Sequence, residues 1–523
     1  MQLDKIALTD PDETFYAQTA KEMFQKGEWL TPTLYGEPQF EKPILFYWLI
    51  EISYAAFGIN EFAVRFPCAL FGFLGLVGVY FLGRLLFNNR TGLFSALVLA
   101  TCLEYIVLSI GCVTDMALFT FLLFGALFFL LAQIRRKNYY YLLASAALAL
   151  ATLTKGPVGI LLPGLIMLLY LLIVKDFTIF KKISVLAGAL AVFLLIAAPW
   201  YLIMYKIHAK EFIDAFFGFQ NITRFTTPEH KTGSQIYYNI PIVLGGFFPW
   251  SVFLPLGFWH FCKMAFSRNH ESRTTNHERR NHELFVLLWF AVIFIFFTIS
   301  STKLPTYIFP CFMSLALITG KLWDDISQGR AGSELVKWFR VSYYFLIAVV
   351  LLALVSIYIF LSTRYPDIAG SALSAGSFFL FGIILSWAAF ARKKYAAVLF
   401  LIAYAVALLI YPINKLVLSG IEAKETSKAL SEELLKYYKE GEQIGCEDDY
   451  RRGIAFYTGR IPVALANSSS INEFLNSKER VWMIVKNKNL ADIAPELLHG
   501  KKVNILYSSG KKRLVTNKPL LNL

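Results

Sequence analysis

The sequence predicts an α-helical polytopic membrane protein of about twelve spans, closed by a small C-terminal α/β domain. Three observations lead there. Apolar residues make up 57% of the 523-residue chain and charged residues 16%, whereas soluble domains run at roughly 45–50% and about 25%. Apolar runs long enough to cross a hydrocarbon core, which takes about 20 helical residues, recur from residue 64 to residue 413. Beyond residue 418 the composition turns to that of a soluble domain.

The chain opens on a polar stretch, residues 1–43, with no cleavable signal segment. Within LTDPDETFYAQTAKEMFQKG, Asp10 suits a helix N-cap, Pro11 the first turn and Glu13 a capping box, while Gly27 suits the C-terminal stop. The apolar stretch 44–58 is interrupted by Glu51 and reads as a helix lying at the membrane interface. Spans are expected near 64–87, 91–110, 115–133, 139–153, 157–174, 183–205, 241–262, 284–300, 304–321, 341–361, 371–391 and 396–413. The organisation is therefore a first loop over 1–63, a bundle over 64–415 and a domain over 416–523. In that last domain, strands are expected at 442–446, 480–486 and 502–508, and helices near 424–439, 449–457 and 488–498.

Loop charges orient the bundle. One set of loops carries twenty Lys and Arg residues, among them Arg90, Arg135, Arg279, Lys321, Arg330 and Arg392; the alternate set carries seven. Positive charge marks the cytoplasmic side, so the N-terminal segment, the 206–240 loop and the C-terminal tail are expected outside. The net charge of +14 belongs to those cytoplasmic loops and needs no nucleic acid to explain it. The six cysteines are scattered, mostly in apolar runs and with no CxxC pair, so they read as free thiols. The loop 263–283 repeats NHE three times, with His270, His277 and His282; a metal site and a solvated low-complexity loop are both consistent with it.

The titratable residues at the external border are the candidates for chemistry. Asp10 and Glu13 have a structural job at a helix start, but Asp12 is not required for the cap. Glu41-Lys42-Pro43 stands just before an apolar helix, where a lysine holds a phosphate as a point charge or simply meets anionic lipid. Asp115 opens an apolar span, a costly place for an acid unless it works there or gains from a helix N-terminus. Lys155 in LTKGPVG and Lys303 in STKLPTYIFP, the latter followed by Tyr307, sit at the same border and either act or snorkel. The 206–240 loop adds Arg224 and His230. Acids, lysines and an arginine over an apolar bundle suit a phosphorylated lipid, whose head group needs cations, and a transfer in which a carboxylate takes a proton.

PDETFYAQTAKEMFQKGEWLTPTLYGEPQFEKPILFYW resembles the bacterial lipid A aminoarabinose transferases and the wider protein-mannosyltransferase-like membrane glycosyltransferases. The likeness continues in order through NEFAVRFPCALFG, VTDMALF, LTKGPVG, QNITRF, GGFFPW and STKLPTYIFP, covering most of residues 10–320, and IAFYTGRIPV in the tail resembles the group's external domain. The resemblance implies a GT-C architecture with its site at the outer face, a polyprenyl-phosphate sugar donor and, usually, inversion at the anomeric carbon. It makes Asp12 the catalytic aspartate of the first loop and Asp115 a second acid of the cavity. Glu41 and Lys42 become the pair that meets the donor phosphate, with Lys155 and Arg224 as further donor-binding residues and Lys303 and Tyr307 on a later loop facing the lipid.

Three departures stand out. Phe15 occupies a position where the aminoarabinose enzymes usually carry Arg, which argues against that same substrate. Asn221 stands where they often carry His, which argues against a bound metal. The family has a span before its first loop, so either a further span is expected upstream of Met1 or the short polar tail crosses unaided. The resulting expectation is a glycosyltransferase of the bacterial inner membrane, with its site and C-terminal domain in the periplasm. It would move a sugar from undecaprenyl phosphate to a lipid acceptor such as lipid A, with no cofactor indicated by the sequence and a divalent metal left open. The rivals are transfer to protein hydroxyls, transport or flipping of a lipid-linked sugar, and a structural membrane partner.

Overall fold

The computed structural model describes residues 3–227, 235–266, 275–364, 366–413, 426–486, 503–510 and 512–519. The chain divides into two compact units: residues 1–39, 47–66 and 412–523 form the first, and residues 40–46 and 67–411 the second.

The first unit joins both ends of the sequence. Helix α1 (Asp12–Lys26) stops at Gly27, whose φ of 67° is the left-handed conformation that glycine adopts without steric cost. Its start differs from the expected capping box, because Pro11 holds the N-cap position and no side chain caps the helix. Both acids are engaged elsewhere. Glu13 accepts the amide and hydroxyl of Thr9 and takes Arg65 through both oxygens at 2.8 and 2.7 Å, while Asp10 accepts the hydroxyls of Thr14 and Ser427. Arg65, 5% exposed, also donates to the carbonyls of Leu3, Ile6 and Ala7 and so fixes the segment before α1.

A two-stranded ribbon, β1 (Thr33–Leu34) with β2 (Glu37–Pro38), leads towards α2 (Leu45–Phe57). Glu51 points inward on α2, fully buried, instead of lying in a polar interruption. It falls four residues after Tyr47 and three before Tyr54, and both tyrosines pack on α1, so helical spacing puts the acid on the packed face.

The C-terminal part of this unit is a five-stranded sheet in the order β4-β3-β5-β7-β6. Its strands are β3 (Gln443–Cys446), β4 (Val463–Ala464), β5 (Val481–Lys486), β6 (Asn504–Ser509) and β7 (Lys512–Thr516). β3 runs parallel to β4 and β5, and β7 runs antiparallel to β5 and β6. The period-2 alternation of β5 accounts for both of its faces: Val481, Met483 and Val485 join one apolar cluster, and Trp482 and Ile484 the other. Helices cover each face, with Ser468–Leu475 on the first and Lys428–Tyr437 and Asp448–Thr458 on the second. β4, β7 and the helix at 468–475 were not expected from the sequence, and the helix expected near 488–498 lies outside the described residues.

The second unit is a helical bundle, and the chain is a multi-pass membrane protein. Among the described residues, seven helices are long and apolar enough to cross a membrane, or up to nine if each of two bent pairs counts as one span. Every expected span has helix under it, but two are broken. The run at 91–110 is α4 (Asn89–Ala100) and α5 (Leu103–Ile110), bent by 67°. The run at 241–262 is bent by 110° after Gly246, where the following Pro249 cannot continue the amide ladder. The two breaks satisfy one another: Leu103 donates its amide to the Phe248 carbonyl, and the Trp250 indole donates to Thr101 Oγ1.

At the end of the bundle rich in basic loops, Asp324 and Asp325 gather cations. Arg330 bonds both carboxylates, Lys321 and His260 bond Asp325 at 2.6 and 2.9 Å, and Asn88 and Thr91 donate to Asp324.

Candidate active site

In the first unit, three neighbouring acids have separate fates. Asp10 is half-buried, and desolvation raises its carboxyl above the ordinary range, opposed by the Ser427 hydroxyl, Lys512 and Thr14. Glu13 is buried against Arg65. Asp12 alone of the three is exposed, in the first turn of α1.

In the second unit a cavity of about 400 Å³ collects six of the eight expected site residues: Glu41, Lys42, Asp115, Lys155, Arg224 and Tyr307. Asp115 sits in the first turn of α6 (Thr114–Arg135), and Lys155 ends α7 (Tyr139–Lys155). These helices pack antiparallel, so residues forty apart in sequence meet, with Lys155 Nζ 2.5 Å from Asp115 Oδ1. The same ammonium lies 4.9 Å above the Tyr307 ring. Lys42 donates to the Glu41 carbonyl at 3.2 Å and forms no ion pair among the described residues. Burial in the cavity wall, and next the neighbouring charge of Lys155, push its ammonium down to about 8.

Arg224 arrives on an irregular segment. Helix α9 (Ile183–Phe212) is kinked at Ala209, with φ 44°, and continues as a π-helix over Ile213–Thr223. The wide turn brings Phe216, Phe217, Gln220 and Asn221 to the cavity, and Gln220 Oε1 accepts from Arg224 at 2.7 Å. π-Helical turns concentrate at functional sites, but a break in helical period is invisible to pattern reading. Lys303 does not line the cavity. It is 4% exposed in a loop that braces the Arg224 segment, where Ser301 and Thr302 donate their amides to the carbonyls of Phe225 and Arg224.

Glu104 is a further acid, one that the pattern of border charges does not single out. Both of its carboxylate oxygens are buried in α5 with no hydrogen bond among the described residues, and a Cβ on Gly246 would strike one of them. The signal was present, an acid inside the apolar run 91–110. His230 and His270 lie outside the described residues, and His282 Nδ1 meets the Leu86 carbonyl. Among the described residues no three His, Cys, Asp or Glu side chains converge as a metal set.

The cavity is lined by cationic and hydrogen-bonding side chains and by Leu118, Leu122, Leu161, Leu162, Phe217 and Phe297. The apolar lining suits an isoprenoid tail and the cations a phosphate. A family profile described as dolichyl-phosphate-mannose-protein mannosyltransferase matches residues 41–203. An uncharacterised protein of Aquifex aeolicus is 30% identical over 390 residues, covering 72% of this chain and 74% of its own. The undecaprenyl phosphate-α-4-amino-4-deoxy-L-arabinose arabinosyl transferase 1 of Pseudomonas fluorescens is 34% identical over 333 residues, 61% of this chain and 56% of that one. The crystal structure of ArnT from Cupriavidus metallidurans bound to undecaprenyl phosphate superposes with a TM-score of 0.79 at 23% identity, covering 99% of this chain and 95% of that one.

The chain belongs to the ArnT-like family of GT-C membrane glycosyltransferases. The match to the Pseudomonas transferase spans a little over half of that protein's length. The ArnT fold, by contrast, is shared along almost the whole chain, and the apo form of the Cupriavidus protein superposes equally well, with a TM-score of 0.80.

Proposed function

We propose that this chain transfers a sugar from an undecaprenyl-phosphate carrier to a lipid acceptor such as lipid A, at the periplasmic face of the inner membrane. The observation that carries the reading is the cavity of about 400 Å³, lined by three cationic side chains (Lys42, Lys155 and Arg224) together with leucines and phenylalanines. In this reading Lys42 and Arg224 hold the donor phosphate, Glu41 and Gln220 orient its surroundings, and the Lys155–Asp115 pair fixes Tyr307 and the rim. An acceptor oxygen attacks the anomeric carbon, and the bond from that carbon to the phosphate oxygen breaks. The electron pair leaves with undecaprenyl phosphate, where the cations stabilise it. Asp12 takes the acceptor proton or anchors the acceptor.

The twenty-to-seven loop asymmetry supports twelve crossings with the C-terminal domain outside. A reporter active only in the cytoplasm, fused after Leu523, is expected to be silent. The transfer itself is tested with purified protein in nanodiscs, a panel of synthetic undecaprenyl-phosphate sugars with aminoarabinose among them, and lipid A, read by mass spectrometry. Donor left intact with every phosphorylated lipid offered would overturn the reading.

The family profile over residues 41–203 favours one second reading, transfer to protein hydroxyls. Mannosyl donor and a hydroxyl-bearing peptide in the same assay separate the two.

A further inference from the structure

We propose that Arg452 holds a phosphate of an anionic lipid acceptor beside Asp12; this rests on the transferase reading. Helix Asp448–Thr458 of the C-terminal domain lies against the start of α1, because residue 453 is glycine: a Cβ there would collide with the Asp10 carboxylate and the Ser427 hydroxyl. That seating brings two arginines to the same place, and they differ. Arg451 is committed, donating Nε to the Pro462 carbonyl at 2.9 Å with its guanidinium 4.0 Å over Tyr35. Arg452 lies 5.0 Å over the Phe15 ring and reaches the Pro11 carbonyl at 3.5 Å.

Pro11 precedes Asp12, and Phe15 is three residues after it, one helical turn on. The guanidinium is therefore held on the edge of α1 that carries the exposed carboxylate, yet the two form no ion pair. A guanidinium over an aromatic ring is weakly hydrated and keeps N–H groups for bidentate contact with a phosphate. The phosphate is assigned to the acceptor because Asp12 acts on the acceptor in this reading, while the donor phosphate has Lys42 and Arg224. A phosphate held by Arg452 brings the neighbouring acceptor oxygen to Asp12 and partly screens the repulsion between two anions.

The test is lipid binding by native mass spectrometry on the purified full chain. The probes are diphosphoryl lipid A, its phosphate-free counterpart and undecaprenyl phosphate. Arg452→Gln is expected to weaken diphosphoryl lipid A by about tenfold or more, the loss of a charge-assisted contact, and to leave the other two probes unchanged. Arg452→Lys should recover part of the loss, and Phe15→Leu, which keeps the cation but removes its platform, should fall between. In the transfer assay the same variants should raise the acceptor KM with little change in kcat. Equal weakening of the phosphate-free lipid, weakening of undecaprenyl phosphate instead, or no change would each overturn the proposal. Wild-type protein that prefers the phosphorylated lipid but transfers no sugar would sink the transferase reading and leave the phosphate contact standing.

Discussion

The ammonium of Lys155 stands 2.5 Å from a carboxylate oxygen of Asp115, and both side chains are largely shielded, 14% and 9% exposed. A pair this dry is costly to break from one side. The surviving charge loses its partner and gains little water, which typically costs about 3–5 kcal/mol.

Lys155→Met should therefore lower the melting temperature in detergent as well as transfer activity, with a stability loss of about 3 kcal/mol. Adding Asp115→Asn should restore most of the stability without restoring activity, because the repaired wall still lacks its cation and its acid. Differential scanning fluorimetry on the single and double variants reads the first part. A double variant as unstable as the single would mean that the pair is not the unit that matters.

Lys42 ties the cavity to pH. Its folded value of about 8 lies below that of an unfolded lysine, near 10.4, so the unfolded chain binds more protons across the window between them. The stability contribution of this residue therefore rises with pH from about 8 to about 10. Donor capture runs the other way, since only the charged form holds a phosphate. kcat/KM for the donor should fall as pH rises through about 8. Lys42→Arg, which stays charged, should flatten the fall, and Lys42→Met should be low throughout. A wild-type profile flat between pH 7 and 9.5 would remove Lys42 from the donor site.

Much of this was legible in the sequence because the signals are long-range and redundant. Helix lies under every apolar run, since apolar composition over some twenty residues is a strong statement. Glu41, Lys42, Asp115, Lys155, Arg224 and Tyr307 share a cavity because each sits at the same border of a span. What escaped depends on three-dimensional partners. Asp10 and Glu13 form a capping box on paper, but Ser427 and Arg65, distant in sequence, claim them instead. Glu51 looked like a polar break and is a buried acid, because Tyr47 and Tyr54 on either side of it face α1. Lys303 looked like a twin of Lys155 and is buried in a brace. The π-helical turn that delivers Phe216 and Asn221 leaves no periodic trace to read.

The cations of the basic loops are not all free charge. Asp324 is fully buried and is bonded by Arg330, Asn88 and Thr91, with Arg90 3.4 Å away. Asp324→Ala should cost about 3–5 kcal/mol, since it unties α14 (Phe312–Ser327) from α4 and leaves Arg330 and Arg90 without that anion. Donor KM should stay near wild type at temperatures where the variant remains folded, because none of these residues lines the cavity. An unchanged melting temperature, or a large donor effect in folded protein, would contradict this account.

Asp12 and Asp10 stand two residues apart and should fail in opposite ways. Asp10 is half-buried and bonded by Thr14 and Ser427 against Gly453, so Asp10→Ala should destabilise the protein by about 1–3 kcal/mol through the polar groups it strands. Any loss of activity should then follow loss of folded protein. Asp12 is exposed at the first turn of α1, so Asp12→Asn should cost only about 0.3–1 kcal/mol of dipole interaction. Yet it removes the one basic oxygen of the three acids that is open to an acceptor. Losing a general base typically costs about two to four orders of magnitude in rate. The expected result at equal abundance is a near-wild-type melting temperature with sugar transfer down by about a hundredfold or more. If Asp12→Asn turns over the donor at close to the wild-type rate, the carboxylate decorates a helix start and Asp115 becomes the acid to test next.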